Sequence, residues 1–203
     1  MNLFLIGATG KTGHLVLEQA LSRGHTVTAI IRKQGSLRSN ERLQVVVGDP
    51  LRANVLAPLL ANQDVVISCL GQRSRQDANL LRDAAAAVLE AMRRTNVRRY
   101  LVVSQGLLFP SRNPIVAILR LILARFVADS KAMERLVRTS DIDWTIVRPP
   151  RLKEGGAPRG YRVQPGAQPG GALAMQRADL AAFLLDEAER EDHRRKIVGI
   201  TSA

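Results

Sequence analysis

The chain predicts an α/β fold, a doubly wound parallel sheet with helices on both faces, in a single domain spanning residues 1–203. Three observations carry this expectation. Short runs rich in Val, Ile and Leu alternate with segments of helical period. Those runs are apolar almost throughout, as strands covered on both faces must be. The first of them leads straight into a glycine-rich turn and a helix, "LIGATGKTGH" at 5–14.

Each element follows in order. "NLFLIG" is the first strand. A helix then runs from Lys11 to Arg23, with Leu15, Val16, Ala20 and Leu21 on one broad face and Gly24 as its C-terminal cap. "TVTAIIR", "LQVVVGD" and "DVVISCLG" are strands two to four. The Ala-rich Asp77–Thr95 is a helix, followed by "RYLVVS" and "DWTIVRP" as strands five and six and "KIVGITS" as the last. Two segments break the rhythm. Ile115–Phe126, "IVAILRLILARF", is a helix apolar almost all round, which requires cover on both sides. Arg151–Ala172 is rich in Gly and Pro and reads as loop, with a short hairpin around "GYRVQ". The run "EREDHRRK" at 189–196 reads as a solvated, mixed-charge helix end.

The glycine loop offers two nucleotides. Gly-Lys-Thr at 10–12 invites a phosphate-loop ATPase, but that motif needs a glycine where Leu5 stands, inside the strand. The dinucleotide reading fits instead. Gly7 allows the tight turn after the strand, Gly10 lets backbone approach a pyrophosphate, and Gly13 lets the helix pack on the sheet. The helix then starts beneath the phosphates, where free N–H groups favour an anion, with Thr9, Lys11 and Thr12 as further donors. This placement makes the sheet Rossmann-type. A carboxylate about 20 residues past the glycines would select NAD by binding the ribose 2′-hydroxyl. Strand two ends "AIIRKQGS" without an acid, so Arg32, assisted by Lys33 or Ser36, selects the 2′-phosphate of NADP(H). The competing view is a solvated basic loop.

A net charge of +12 fits either an anionic partner or a solvated arginine-rich surface. The arginines are scattered and only 3% of residues are aromatic, so nucleic-acid binding is not expected. The lone Cys69 excludes a disulfide framework, and neither a secretory leader nor an apolar run of membrane-spanning length is read, so a cytoplasmic setting is expected. His14, His25 and His193 lack metal-ligand spacing, and no metal site is expected; His25 is read as a helix-end cap.

The segments "GATGKTG", "IIRK", "VVVGDP", "VVISCLG", "YLVVSQG", "DWTIVRPP" and "QRADLAAFLL" stand in the order and spacing of a known family. The chain resembles the atypical short-chain dehydrogenase/reductase superfamily, and within it the NADPH-dependent flavin reductase/biliverdin-IXβ reductase family, with NmrA-like proteins as neighbours. The resemblance implies that Asp49 sits beside the adenine and that Leu70 and Gly71 line the ribose and nicotinamide side. It further implies that Ser104 occupies the active-site hydroxyl position with Gln105 beside it, and that Pro149, Pro150 and Arg151 lie near the carboxamide. For Asp49-Pro50 and Pro149-Pro150, plain turn chemistry is the alternative.

One departure bears on the chemistry. The Tyr-x-x-x-Lys pair of standard short-chain dehydrogenases is missing, because Val127 stands four residues before Lys131. Lys131 is then an exposed helix residue, and an alcohol dehydrogenase or epimerase is disfavoured. Hydride transfer to a flavin or linear tetrapyrrole needs no such acid, since the acceptor is already electrophilic and solvent supplies the proton. Ser104 would orient the carboxamide or relay a proton. Residues 107–128, with Leu108 and Phe109, and the 151–172 loop would form the acceptor side, with Arg73 and Arg75 meeting anionic groups of the acceptor. The apolar helix is otherwise a contact for a homo-oligomer or a membrane surface. The expected function is an NADPH-dependent reductase of a planar acceptor; the alternative is an NADP(H)-sensing regulator acting through a protein partner.

Overall fold

A computed structural model describes residues 1–72, 77–170 and 174–203. Among them the main sheet has eight strands, in the order β3-β2-β1-β4-β5-β6-β10-β8. These are β1 Asn2–Ile6, β2 Thr26–Ile31, β3 Leu43–Val47, β4 Val65–Ser68, β5 Arg99–Val103, β6 Asp143–Arg148, β8 Tyr161–Pro165 and β10 Lys196–Ser202. All pairings are parallel except that of β8 with β10. Chain order reverses between β1 and β4, the switch point at which such sheets open a crevice for ligands.

The helices split by face. α1 (Lys11–Ser22) packs with α6 (Arg177–Arg190) over Leu3, Leu5, Val27, Ile67 and Val198. On the other face α2 (Ala53–Leu60), α3 (Leu80–Thr95) and α5 (Ala124–Thr139) cover Phe4, Ile6, Val66, Tyr100 and Ile146. Strands β1, β2, β4 and β5 are buried along nearly their whole length on both sides, which is why their sequences do not alternate. α1 ends as its sequence requires. Gly24 takes φ +83° and its N–H reaches Leu21 O, while His25 N reaches Ala20 O.

Several expectations need correction. α2 escapes the pattern because it has eight residues and carries Pro58 inside it. "GYRVQ" forms no hairpin of its own: β8 is an antiparallel edge strand on β10, and the nearby β7 (Arg151–Lys153) pairs in parallel with β9 (Ala174–Gln176). The long apolar helix is two helices, α4 (Pro114–Ile122) and α5, which meet at Leu123. α4 buries none of its residues, so the expected cover on both sides is absent among the described residues. The 189–196 run, by contrast, is solvated as expected, with no residue of it buried. Glu189 accepts from His25 and Arg23, and His193 bonds Glu187, which is 2% exposed.

Candidate functional site

The crevice at the switch point is a groove of about 1220 Å³ along the carboxyl ends of β1–β5. Its floor is the glycine turn. Gly7 has φ +87°, and a Cβ there would stand 2.9 Å from the Cys69 carbonyl. A Cβ on Gly13 would lie 2.1 Å from Gly7 O, so only glycine lets α1 seat against the strand that precedes it. Gly10 is the N-cap of α1, and its N–H bonds Gly7 O. No side chain caps this helix end and its first turn carries no acid. Free N–H groups and the positive end of the dipole therefore face the groove beside Thr9, Lys11 and Thr12, which suits a pyrophosphate.

Arg32 lies at the end of β2 in the groove wall, exposed. Lys33 is exposed outside the wall, and the Ser36 hydroxyl is spent on Lys33 O. Asp49 serves two ends at once: it lines the groove, and its Oδ1 accepts from Leu51 N as an Asx turn. Val47 and Leu51, exposed large apolar residues, form the wall around it. Leu70, Gly71, Gln72 and Ser104 continue the groove past the switch point, with Leu152 and Arg177 on the far rim.

Ser104 belongs to a buried ionic cluster. Its Oγ donates to Glu134 Oε1 at 2.6 Å, and Arg148 grips the same carboxylate through Nε (2.9 Å) and Nη2 (2.6 Å). Glu134 is buried on α5, while the Arg148 guanidinium also lies over the Phe109 ring at 4.8 Å. A hydroxyl whose proton is committed to a carboxylate offers its lone pairs to the groove, so Ser104 is set up to accept a hydrogen bond there. A second carboxylate shapes the same wall. Asp129 accepts from Leu81 N and Arg82 N, both at 3.0 Å, and from the Gln72 amide. Reaching across from α5, it satisfies the N-terminus of α3, whose own N-cap Asn79 is left-handed and makes no side-chain cap.

Other residues lie elsewhere. Gln105 donates to Phe126 O and Ser130 Oγ, and Phe109 is buried. Leu108, Pro149, Pro150 and Arg151 are not in the groove lining, and Pro149 O accepts from Gly106 N. Arg73 and Arg75 fall outside the described residues. Lys131 is exposed beside a buried Val127. Both tyrosines are committed away from the groove: Tyr100 is buried with its hydroxyl on Ser68, and Tyr161 donates to Asp186. Desolvation by burial raises both phenols above their ordinary value. The Cys69 thiol in the groove floor is likewise pushed up to about 12 by burial, so it stays neutral. Among the described residues, no group of three or more His, Cys, Asp and Glu is placed to hold a metal ion.

Sequence reasoning missed Glu134, Arg148, Asp129, Leu152 and Arg177. Nothing local marks them, because they reach the site from four elements, Asp129 and Glu134 from α5 and the others from β6, β7 and α6, and only the topology brings them together.

A parallel sheet ordered 3-2-1-4-5-6, with a glycine turn at the foot of an uncapped helix, defines a Rossmann-type dinucleotide-binding protein. The comparisons narrow this further: residues 7–191 match the NAD(P)H-binding family, and the chain belongs to that family. An uncharacterized protein of Bacillus subtilis, YwnB, is 26% identical over all of this chain and 99% of its own length. A proposed NADH-flavin reductase from Streptococcus pneumoniae superposes with a TM-score of 0.82 at 24% identity, covering 100% of both chains. A short-chain dehydrogenase/reductase from Veillonella parvula, solved with NADP, superposes with a TM-score of 0.80 at 21% identity over 99% of this chain and 94% of its own.

Proposed function

We propose that the protein is an NADPH-dependent reductase that passes hydride to a flavin, a linear tetrapyrrole or a similar planar conjugated acceptor. The observation that carries this reading is the pairing of a dinucleotide groove with a reaction end that holds, among the described residues, one hydroxyl and no phenol–lysine pair. When bound, the cofactor supplies a hydride. The protein's own groups bind and orient. The first turn of α1 and Thr9, Lys11 and Thr12 hold the pyrophosphate. Arg32 takes the 2′-phosphate through charge-assisted hydrogen bonds, and no acid in the β2 end opposes it. Asp49, Val47 and Leu51 flank the adenine. Ser104, held by Glu134, accepts from the carboxamide N–H, fixing which face of the ring looks into the open groove. Leu70 and Leu152 exclude water there. With no protein acid in reach among the described residues, an acceptor that solvent can protonate is favoured, a conjugated ring over a simple ketone.

The test is turnover of NADPH with FMN, riboflavin and biliverdin offered in turn, and NADH as control. Oxidation with at least one acceptor, and much less with NADH, is the expected result. Tight NADPH binding without turnover of any acceptor would overturn the reductase and leave an NADP(H) sensor acting through a protein partner.

A further inference from the structure

Helix α4 is built inside out. Asn113 caps it by accepting from Ile115 N at 2.9 Å, and Pro114 fills the first turn, so the helix is well formed. Its one charged side chain, Arg120, turns inward: Nε donates to Leu107 O at 2.8 Å and Nη2 to Phe109 O. That clamp fixes α4 on the segment following β5, while its apolar side chains turn outward. Leu121 is 79% exposed, Ile122 70%, Ile115 64% and Ile118 57%. An ordinary surface helix has the opposite arrangement. Leu119 of the same helix is exposed too, and outside α4 the exposed large apolar side chains among the described residues are Met1 and, in the nucleotide groove, Val47 and Leu51. The outward face of α4 therefore stands apart as an apolar patch of the kind that marks an interaction surface.

The charges around it say what covers it. From Gln105 to Met133 the sequence carries Arg112, Arg120, Arg125 and Lys131 but a single acid, Asp129, and that acid is buried against the N-terminus of α3. Arg112, Arg125 and Lys131 are exposed and make no ion pair among the described residues. Helix α5 adds exposed Arg135 and Arg138. A second copy docked through α4 would bring like charges together around the contact. A lipid surface rich in anionic headgroups takes the Ile and Leu side chains into its acyl boundary and pairs the flanking cations with phosphate.

We infer that α4 is a monotopic membrane-binding wedge, seating the protein on an anionic lipid surface beside the strand ends where its groove opens. No helix among the described residues is long and apolar enough to cross a membrane, so the helix lies in the interface. The assignment stands on α4 and its charges, independent of which acceptor the groove takes.

The experiment is flotation of the full chain with vesicles of phosphatidylcholine alone or mixed with phosphatidylglycerol, alongside light scattering for mass. Far-UV circular dichroism and thermal unfolding check that the variants stay folded. The protein is expected to float with the anionic vesicles and to be released by salt. An I118S/L121S/I122S variant, altered only at exposed positions, should lose at least tenfold in binding. An R112E/R125E variant should lose roughly thirtyfold on anionic vesicles and little on neutral ones. Absence of flotation with either vesicle overturns the proposal. So does flotation that the triple variant leaves unchanged, and so does a dimer that this variant converts to monomer, which would assign the face to a second copy.

Discussion

Two clusters, each built on an arginine, a glutamate and a hydroxyl, join β5 and β6 to a helix, at opposite ends of the strands and on opposite faces of the sheet. At the start of β5, Arg99 donates to Glu187 Oε1 (2.7 Å) and Thr145 Oγ1 (2.9 Å), and His193 closes on the other carboxylate oxygen at 2.7 Å. Burial lowers the Arg99 pKa from its ordinary value, yet the partners keep the ion pair together. At the end of β5, Arg148 and Ser104 share Glu134 in the same way. The difference is access. Arg99, Thr145 and Glu187 are sealed beneath α6, whereas Ser104 opens on the groove. An arginine, a glutamate and a hydroxyl make a structural bolt at the amino ends of parallel strands and a positioning device at the carboxyl ends, where the crevice lies.

That contrast can be broken by mutation. Glu187→Ala is expected to have the largest effect on stability, about 3–5 kcal/mol, because it strands a buried guanidinium. Urea unfolding measures it, and the affinity of the folded remainder for NADPH should not change. Glu134→Gln should cost less, about 2–3 kcal/mol, since Arg148 keeps its place over Phe109 and is partly exposed. It should also weaken NADPH, because the Ser104 hydroxyl is no longer aimed; unaltered affinity would deny the cluster its positioning role.

Ser104→Ala sharpens the comparison further. Stability should move by only about 1 kcal/mol, while NADPH affinity falls roughly tenfold, the worth of one hydrogen bond. Thr145→Val, its counterpart in the sealed cluster, should destabilise without touching affinity. The smallest effect is kinetic. With its thiol held neutral by burial, Cys69 should alkylate far more slowly at about pH 8 than an unfolded-state cysteine, although it borders an open groove. Rapid modification of the native protein would contradict that environment.

The sheet and its glycine turn were legible because their causes are local. Strands buried on both faces read as unbroken Val/Ile/Leu runs, and Gly7 and Gly13 stand where packing leaves no room for a Cβ. The place of Arg32 in the groove wall was legible for the same reason, next to the strand that positions it. The two ionic clusters were not. Glu134 lies 30 residues from Ser104, and Glu187 lies 88 from Arg99, so no window of sequence contains the interaction. Glu187, just before the exposed charged run at 189–196, is buried because Arg99 of another strand supplies its partner. Gln105 was drawn toward the site by its nearness to Ser104 and Phe109 by the apolar segment it begins, but the chain turns away after β5, holding the Gln105 amide on α5 and burying Phe109 beneath Arg148. The outward face of α4 was legible only as apolar, since its direction depends on where Arg120 finds its acceptors.

The central claim is that the groove selects NADPH through Arg32. It is tested most directly by calorimetric titration of NADPH and NADH into the protein and its Arg32→Ala variant. The native chain should bind NADPH more tightly, and the substitution should weaken NADPH by about 10–100-fold while leaving NADH within about threefold. Equal loss for both cofactors, or no loss for either, would contradict the assignment of the 2′-phosphate to this residue.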